Sequence, residues 1–175
     1  MSVPVKLSTA DIQHLMSLLN DELASHDAHA ELHLVGGAVM CLVFGARAAT
    51  RDVDAWFKPT VAVREAAARV AMRAGVTEGW LNDAVKGWLS PRGEFDRYLE
   101  YSNLQVFVAR PAYLLALKCM AMRLGEEFYD LDDVRYLVRH LDIHSAEAAL
   151  AVVMQYFDAE RIPLKTRLAL EELLA

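Results

Sequence analysis

A chain of 175 residues, 55 % hydrophobic and 24 % charged, has the apolar content for a sizeable core and fits one domain, or one domain with an appended helical half. Eighteen Lys and Arg against 24 Asp and Glu leave a net charge of −6, which argues against an electrostatic grip on nucleic acid over the whole surface and leaves room only for a local basic patch. Cys41 and Cys119 lie in apolar stretches without metal-pair spacing and read as buried thiols with no disulfide partner, as in a reducing compartment. The N-terminal MSVPVKLSTAD lacks the apolar core of a signal peptide, and no apolar run approaches the ~20 residues of a bilayer span, so a soluble, cytoplasmic chain with no membrane partner is expected.

Ser8 with Asp11 three residues on predicts a helix N-cap, and Ile12, Leu15, Met16, Leu19 and Leu23 recur at helical spacing, ending near His26. Glu31 to Val35 alternates as a strand does and runs into Gly36-Gly37, followed by a short apolar helix from Ala38 to Phe44 that Gly45 stops. Asp52 to Phe57, closed by Pro59, predicts a second strand, and Thr60 is placed to cap a helix from Val61 to Ala74. An irregular stretch follows, with a helical turn opening at Trp80 and a loop at Ser90-Pro91-Arg92-Gly93. Arg97 to Tyr101 and Leu104 to Ala109 pair around Ser102-Asn103. Pro111 suits the first position of a helix to about Leu124; Asp130 and Ser145 are placed to cap helices to Leu141 and Phe157, and a last helix follows Pro163. The expected class is α+β: a small mixed sheet with flanking helices over residues 1–110, then a helical C-terminal region over 111–175.

The stretch that carries chemistry is Thr50-Arg51-Asp52-Val53-Asp54, preceded by Arg47. Residues i and i+2 of a strand share a face, so Asp52 and Asp54 converge. Two such carboxylates beside an open Gly36-Gly37 turn match what a divalent cation carrying nucleotide phosphates requires, hard oxygen ligands for the ion and backbone N–H groups for the phosphate. The same carboxylates also suit a blunted edge strand, the glycines suit an ordinary tight turn, and Arg47 and Arg51 suit simple pairing with the aspartates. Lys118 has only apolar neighbours three and four residues away, so its ammonium either snorkels to solvent or is buried between the two halves, reaching a triphosphate or the Asp52 and Asp54 carboxylates. Arg123 has Glu126 and Glu127 at i+3 and i+4, sufficient for a surface ion pair. Asp130 to Asp133 stabilises a helix start whatever else it does. The six histidines share no helix face as a ligand pair, and neither a P-loop nor a nucleophile elbow is present.

Taken together, Gly36-Gly37, Arg47 and Thr50-x-Asp52-x-Asp54 resemble the signature of the polymerase-β-like nucleotidyltransferases. The helix around Lys118 and the segment Asp130-Leu131-Asp132-Asp133 resemble the lysine helix and D-x-x-D segment of the bacterial branch that includes toxin and abortive-infection nucleotidyltransferases. The resemblance implies that Gly36, Gly37, Arg47, Thr50, Lys118, Asp130 and Asp133 serve the nucleotide and that Asp52 and Asp54 hold Mg²⁺ or Mn²⁺. It also implies a two-metal transfer from an NTP to an acceptor: RNA, a protein hydroxyl or a small molecule. The family's third carboxylate, on a later strand beside the first two, is expected at Glu100, with the neutral Gln105 as the competing position. Without that acid, the implied alternative is a weak or inactive relative that binds nucleotide or acts with a cognate partner protein in a toxin–antitoxin-like pair.

Overall fold

A computed structural model describes residues 5–125 and 128–175; Glu126 and Glu127, expected to pair with Arg123, lie outside the described residues. The fold is α+β, with a five-stranded mixed sheet, a two-stranded ribbon and seven α-helices among the described residues. Two compact units divide the chain: one runs up to Gly87 and includes Phe95–Val108, the other comprises Trp88–Glu94 and Ala109–Ala175.

In the first unit β1 (Leu7–Ser8) leads into α1 (Thr9–Ser25), whose start is a capping box: the Ser8 hydroxyl accepts from the Asp11 N–H, and the Asp11 carboxylate accepts from the Ser8 N–H. Next come β2 (Ala30–Val35), α2 (Gly36–Leu42), β3 (Ala49–Thr50), β4 (Val53–Lys58), α3 (Thr60–Ala74), β5 (Leu81–Asn82), β6 (Phe95–Glu100) and β7 (Leu104–Ala109). The ribbon is β1 with β3, and the main sheet has the order β5-β4-β2-β7-β6. Strand β2 runs antiparallel to β4 and parallel to β7, so the glycine turn leaves from the middle of the sheet. Period-2 alternation divides the sheet. Leu32, Leu34, Val53, Ala55, Phe57, Leu104, Val106 and Val108 are buried on one face, while Glu31, His33, Asp54, Trp56, Lys58, Gln105 and Phe107 form the more open one. Between α3 and β5 the chain is anchored by Trp80, fully buried with its indole N–H donating to the Ala67 carbonyl at 3.0 Å.

The second unit holds α4 (Pro111–Met120), α5 (Asp130–His140), α6 (Ala146–Met154) and α7 (Leu164–Leu173), with α4 packed on α5 and α6, and α6 on α7. Pro111 opens α4, and the Ser145 hydroxyl caps α6 by accepting from the Ala148 N–H. The Ser90–Gly93 loop is tied down: the Ser90 N–H donates to the Tyr113 hydroxyl at 3.0 Å, and the Tyr156 hydroxyl donates to Glu94 at 3.0 Å.

Several element boundaries differ from expectation. Helix α2 takes both glycines into its first turn instead of starting at Ala38. Helix α3 is preceded by Pro59, and the Thr60 side chain caps nothing. Asp130 is the first residue of α5, with Tyr129 in the cap position. Helix α4 stops at Met120, four residues short of Leu124, for a specific reason. Continuing it would need the Arg123 N–H to bond the Cys119 carbonyl, but that N–H donates to Asp130 at 3.0 Å and that carbonyl accepts from the Thr166 hydroxyl at 2.7 Å. Among the described residues no helix is long and apolar enough to cross a membrane, and Cys41 and Cys119 are both free and buried.

Candidate functional site

Antiparallel pairing sets Val35 opposite Asp54, which brings the end of β2, and hence the glycine turn, against the D-x-D strand. Gly36 has φ +70°, and a Cβ there would stand 3.0 Å from Asp54 Oδ2. At Gly37 a Cβ would stand 2.5 Å from Arg47 Nη1 and 2.8 Å from Thr50 Oγ1. Asp54, Arg47 and Thr50 therefore close around one short stretch of backbone, although Arg47 reaches it from the loop after α2. The Thr50 hydroxyl, buried, donates to the Asp52 carbonyl at 3.3 Å and steadies the entry to β4. Asp52 and Asp54 are both half-buried. Of the sequence-derived candidates, Gly36, Gly37, Arg47, Thr50, Asp52 and Asp54 thus belong to one locality, with a guanidinium and a carboxylate on either side of the turn. With only seven residues in α2, the charge of Arg47 counts for more there than the helix dipole.

Glu100 and Gln105 do not join them. Asp54 is level with Val35 on β2 and Asn82 on β5, and neither is an acid. Gln105 pairs with Glu31, which pairs with Lys58, four residues further along β4. At ~3.3 Å per residue that is roughly 13 Å from Asp54. Glu100 is exposed, pairs with Arg97 at 3.4 Å, and lines a cavity with Gln105 at that far end. The expectation of Glu100 as third carboxylate is corrected by this register. Among the described residues, moreover, no group of three or more His, Cys, Asp or Glu side chains is placed to hold a metal. Asp52 and Asp54 are the two carboxylates of this locality, and one or two is the number that a Mg²⁺ ion commonly takes from a protein.

Lys118 has its anions within its own unit. It is only 8 % exposed, and its Nζ lies 2.7 Å from Asp133 Oδ2 and 3.5 Å from Asp130 Oδ1, both on α5. The sequence left solvent, a triphosphate or the Asp52 and Asp54 carboxylates as its partners; the observed partners are instead the two acids of the D-x-x-D segment. Asp130 also accepts from Arg123 through Nε at 2.8 Å and through the backbone N–H at 3.0 Å. Burial pushes the Asp130 carboxyl up, but the Arg123 hydrogen bonds and the Lys118 charge outweigh it and hold the group below its ordinary value.

Sequence reasoning missed a row of rings on the open sheet face, two residues along β4 from Asp54. His33 lies between Trp56 (centroids 4.6 Å) and Phe107 (4.7 Å, planes 7° apart), with Phe95 edge-on at 4.9 Å. Its buried Nδ1 makes no hydrogen bond among the described residues, and burial holds the imidazole below its ordinary value, with Lys58 adding to the effect and Glu31 opposing it. Beyond the rings a cavity of about 500 Å³ is lined by residues including Glu31, Lys58, Glu100 and Gln105. The alternation of β2 and β4 signals which residues face this way, but the pairing that lines the rings up is long-range.

No protein-family model, no curated protein and no solved structure matches the chain.

Proposed function

We propose that the protein is a nucleotidyltransferase of the polymerase-β-like kind, moving a nucleotidyl group from an NTP to an acceptor hydroxyl with Mg²⁺ (or Mn²⁺). One observation carries the reading: Asp54, Arg47 and Thr50 close around a Gly36-Gly37 backbone too tight to admit a side chain. The acceptor hydroxyl oxygen forms a bond to the α-phosphorus, the bond from that phosphorus to the bridging oxygen breaks so that pyrophosphate leaves with the electron pair, and the hydroxyl proton passes to solvent. The ion, when bound, would neutralise triphosphate charge. Asp52 and Asp54 are the residues to hold it, and the Arg47 guanidinium, packed against Gly37, offers donors to phosphate oxygens. With two acids instead of three, slow turnover is expected. Incubation with labelled NTPs, Mg²⁺ and a cell extract tests the proposal. Label transfer is expected from the natural chain and not from Asp52→Asn or Asp54→Asn; transfer unaffected by both substitutions, or absent throughout, refutes it.

That the residues level with Asp54 on β2 and β5 are Val35 and Asn82, neither of them an acid, favours a second reading, a nucleotide-binding protein without turnover that acts with a cognate partner. Calorimetry showing Mg²⁺-dependent NTP binding without any label transfer would select it.

A further inference from the structure

The open face of the sheet is a ladder of three rungs. Asp54 stands on the first, Trp56, His33 and Phe107 form the second, and Lys58, Glu31 and Gln105 form the third, where the cavity opens. Register and alternation put all three rungs on one face, and the residues of the second and third are half-buried or exposed. A volume of about 500 Å³ falls within the range of small-molecule sites, roughly 300–1,000 Å³. The charges at the cavity discriminate among ligands. Lys58 is paired with Glu31 at 3.3 Å, and Glu100 with Arg97 at 3.4 Å, so two carboxylates, an ammonium already paired and the His29 imidazole line it, a balance that does not favour a phosphate chain. The neutral Gln105 amide, by contrast, makes no side-chain hydrogen bond among the described residues and keeps both a donor and an acceptor for a ligand. Between cavity and carboxylate the rings, with His33 stacked on Phe107, make an apolar strip against which the C–H groups of a saturated ring can pack.

We infer that the acceptor is a small, uncharged, polyhydroxylated molecule of two or three rings, hydrogen-bonded at Gln105 and laid across the Trp56–His33–Phe107 floor toward Asp54. This identification of the acceptor rests on the nucleotidyl-transfer reading and deepens it. The rungs are spaced by ~6–7 Å, twice the rise per strand residue, so one ring at the cavity and one over the aromatic floor bring a hydroxyl of the next to the carboxylate.

The test is ligand-observed saturation-transfer NMR on the full chain without nucleotide, with maltotriose as the neutral probe and glucose 6-phosphate and a uridine tetranucleotide as anionic ones. Maltotriose is expected to give the strongest signal. Gln105→Leu, or Gln105→Ala should the first variant fail to fold, is expected to weaken its binding about fivefold, the worth of one neutral hydrogen bond. A stronger signal from either anionic probe, no maltotriose signal, or a signal indifferent to both Gln105 variants overturns the inference. Loss of sugar binding in a protein that still labels an acceptor in the extract refutes this inference alone. Sugar binding without any label transfer refutes the transfer reading and the acceptor role together.

Discussion

Replacing Lys118 by methionine separates a structural lysine from one reserved for a ligand. Its side chain is 10 % exposed, and those of its partners Asp130 and Asp133 are 5 % and 3 % exposed. Methionine is likewise unbranched, only the terminal ammonium position being lost, and has nearly the same helix propensity, so the loss isolates the charge. Asp130 retains Arg123, whereas Asp133 loses the ammonium at 2.7 Å. Removing one partner of a buried pair typically costs about 3–5 kcal/mol, because the remaining charge is left in a poorly solvating site. For a chain of this size that corresponds to a fall in Tm of roughly 6–20 °C. The double variant Lys118→Met/Asp133→Leu also removes the carboxylate that loses the ammonium and is expected to recover to within about 1 kcal/mol of the natural chain. Urea unfolding followed by circular dichroism reads all three proteins. A single variant that loses less than about 1 kcal/mol, or a double variant as unstable as the single, would show that the pair is not the main partner of either group.

The glycine turn predicts two unequal penalties. Gly36→Ala forces a side chain into φ +70° and to within 3.0 Å of the Asp54 carboxylate, for a loss of about 1–2 kcal/mol; Gly37→Ala must displace Arg47 and the buried Thr50, about 1–3 kcal/mol by overpacking. Both are read by thermal melts, and an unchanged Tm in either contradicts the crowding. Because burial holds the folded-state His33 imidazole below its ordinary 6.5, the unfolded chain binds its proton first as pH drops. Stability from this group is therefore complete above about pH 6.5 and is lost as pH falls toward the folded value; His33→Phe should flatten that part of the Tm–pH curve. Asp130, held below its ordinary 3.8, contributes stability above that value that is lost on further acidification, and Arg123→Met should shrink this acid-side loss. Burial pushes the Cys119 thiol up to about 12, so iodoacetamide at pH 8 should label it only after urea is added; rapid native labelling would contradict its burial.

Much of the local structure was legible because each signal lies within a few residues. Ser8 with Asp11, Pro111 and Ser145 act on their immediate neighbours, and each performs the expected geometry. Failures came where a distant group supplies the partner. The end of α4 was misplaced because Asp130 and Thr166 take the hydrogen bonds that would have extended it. Thr60 and Asp130 were misread as caps because a suitable residue type does not reveal whether its side chain is engaged elsewhere, as Asp130 is by Arg123 and Lys118.

The candidate site divides the same way. The sequence by itself determined that Asp52 and Asp54 are two apart on a strand entry and that a bare glycine turn follows another strand, since both depend on adjacent residues alone. Only the tertiary structure decided that the two meet, with Val35 opposite Asp54 and Arg47 folded onto Gly37. It also decided that Glu100 and Gln105 belong to a cavity at the other end of the sheet and that Lys118 is held by Asp130 and Asp133. The physical reason is that alternation assigns a side chain to a face, whereas its place along that face is set by strand register, and register is chosen by packing among segments far apart in the chain.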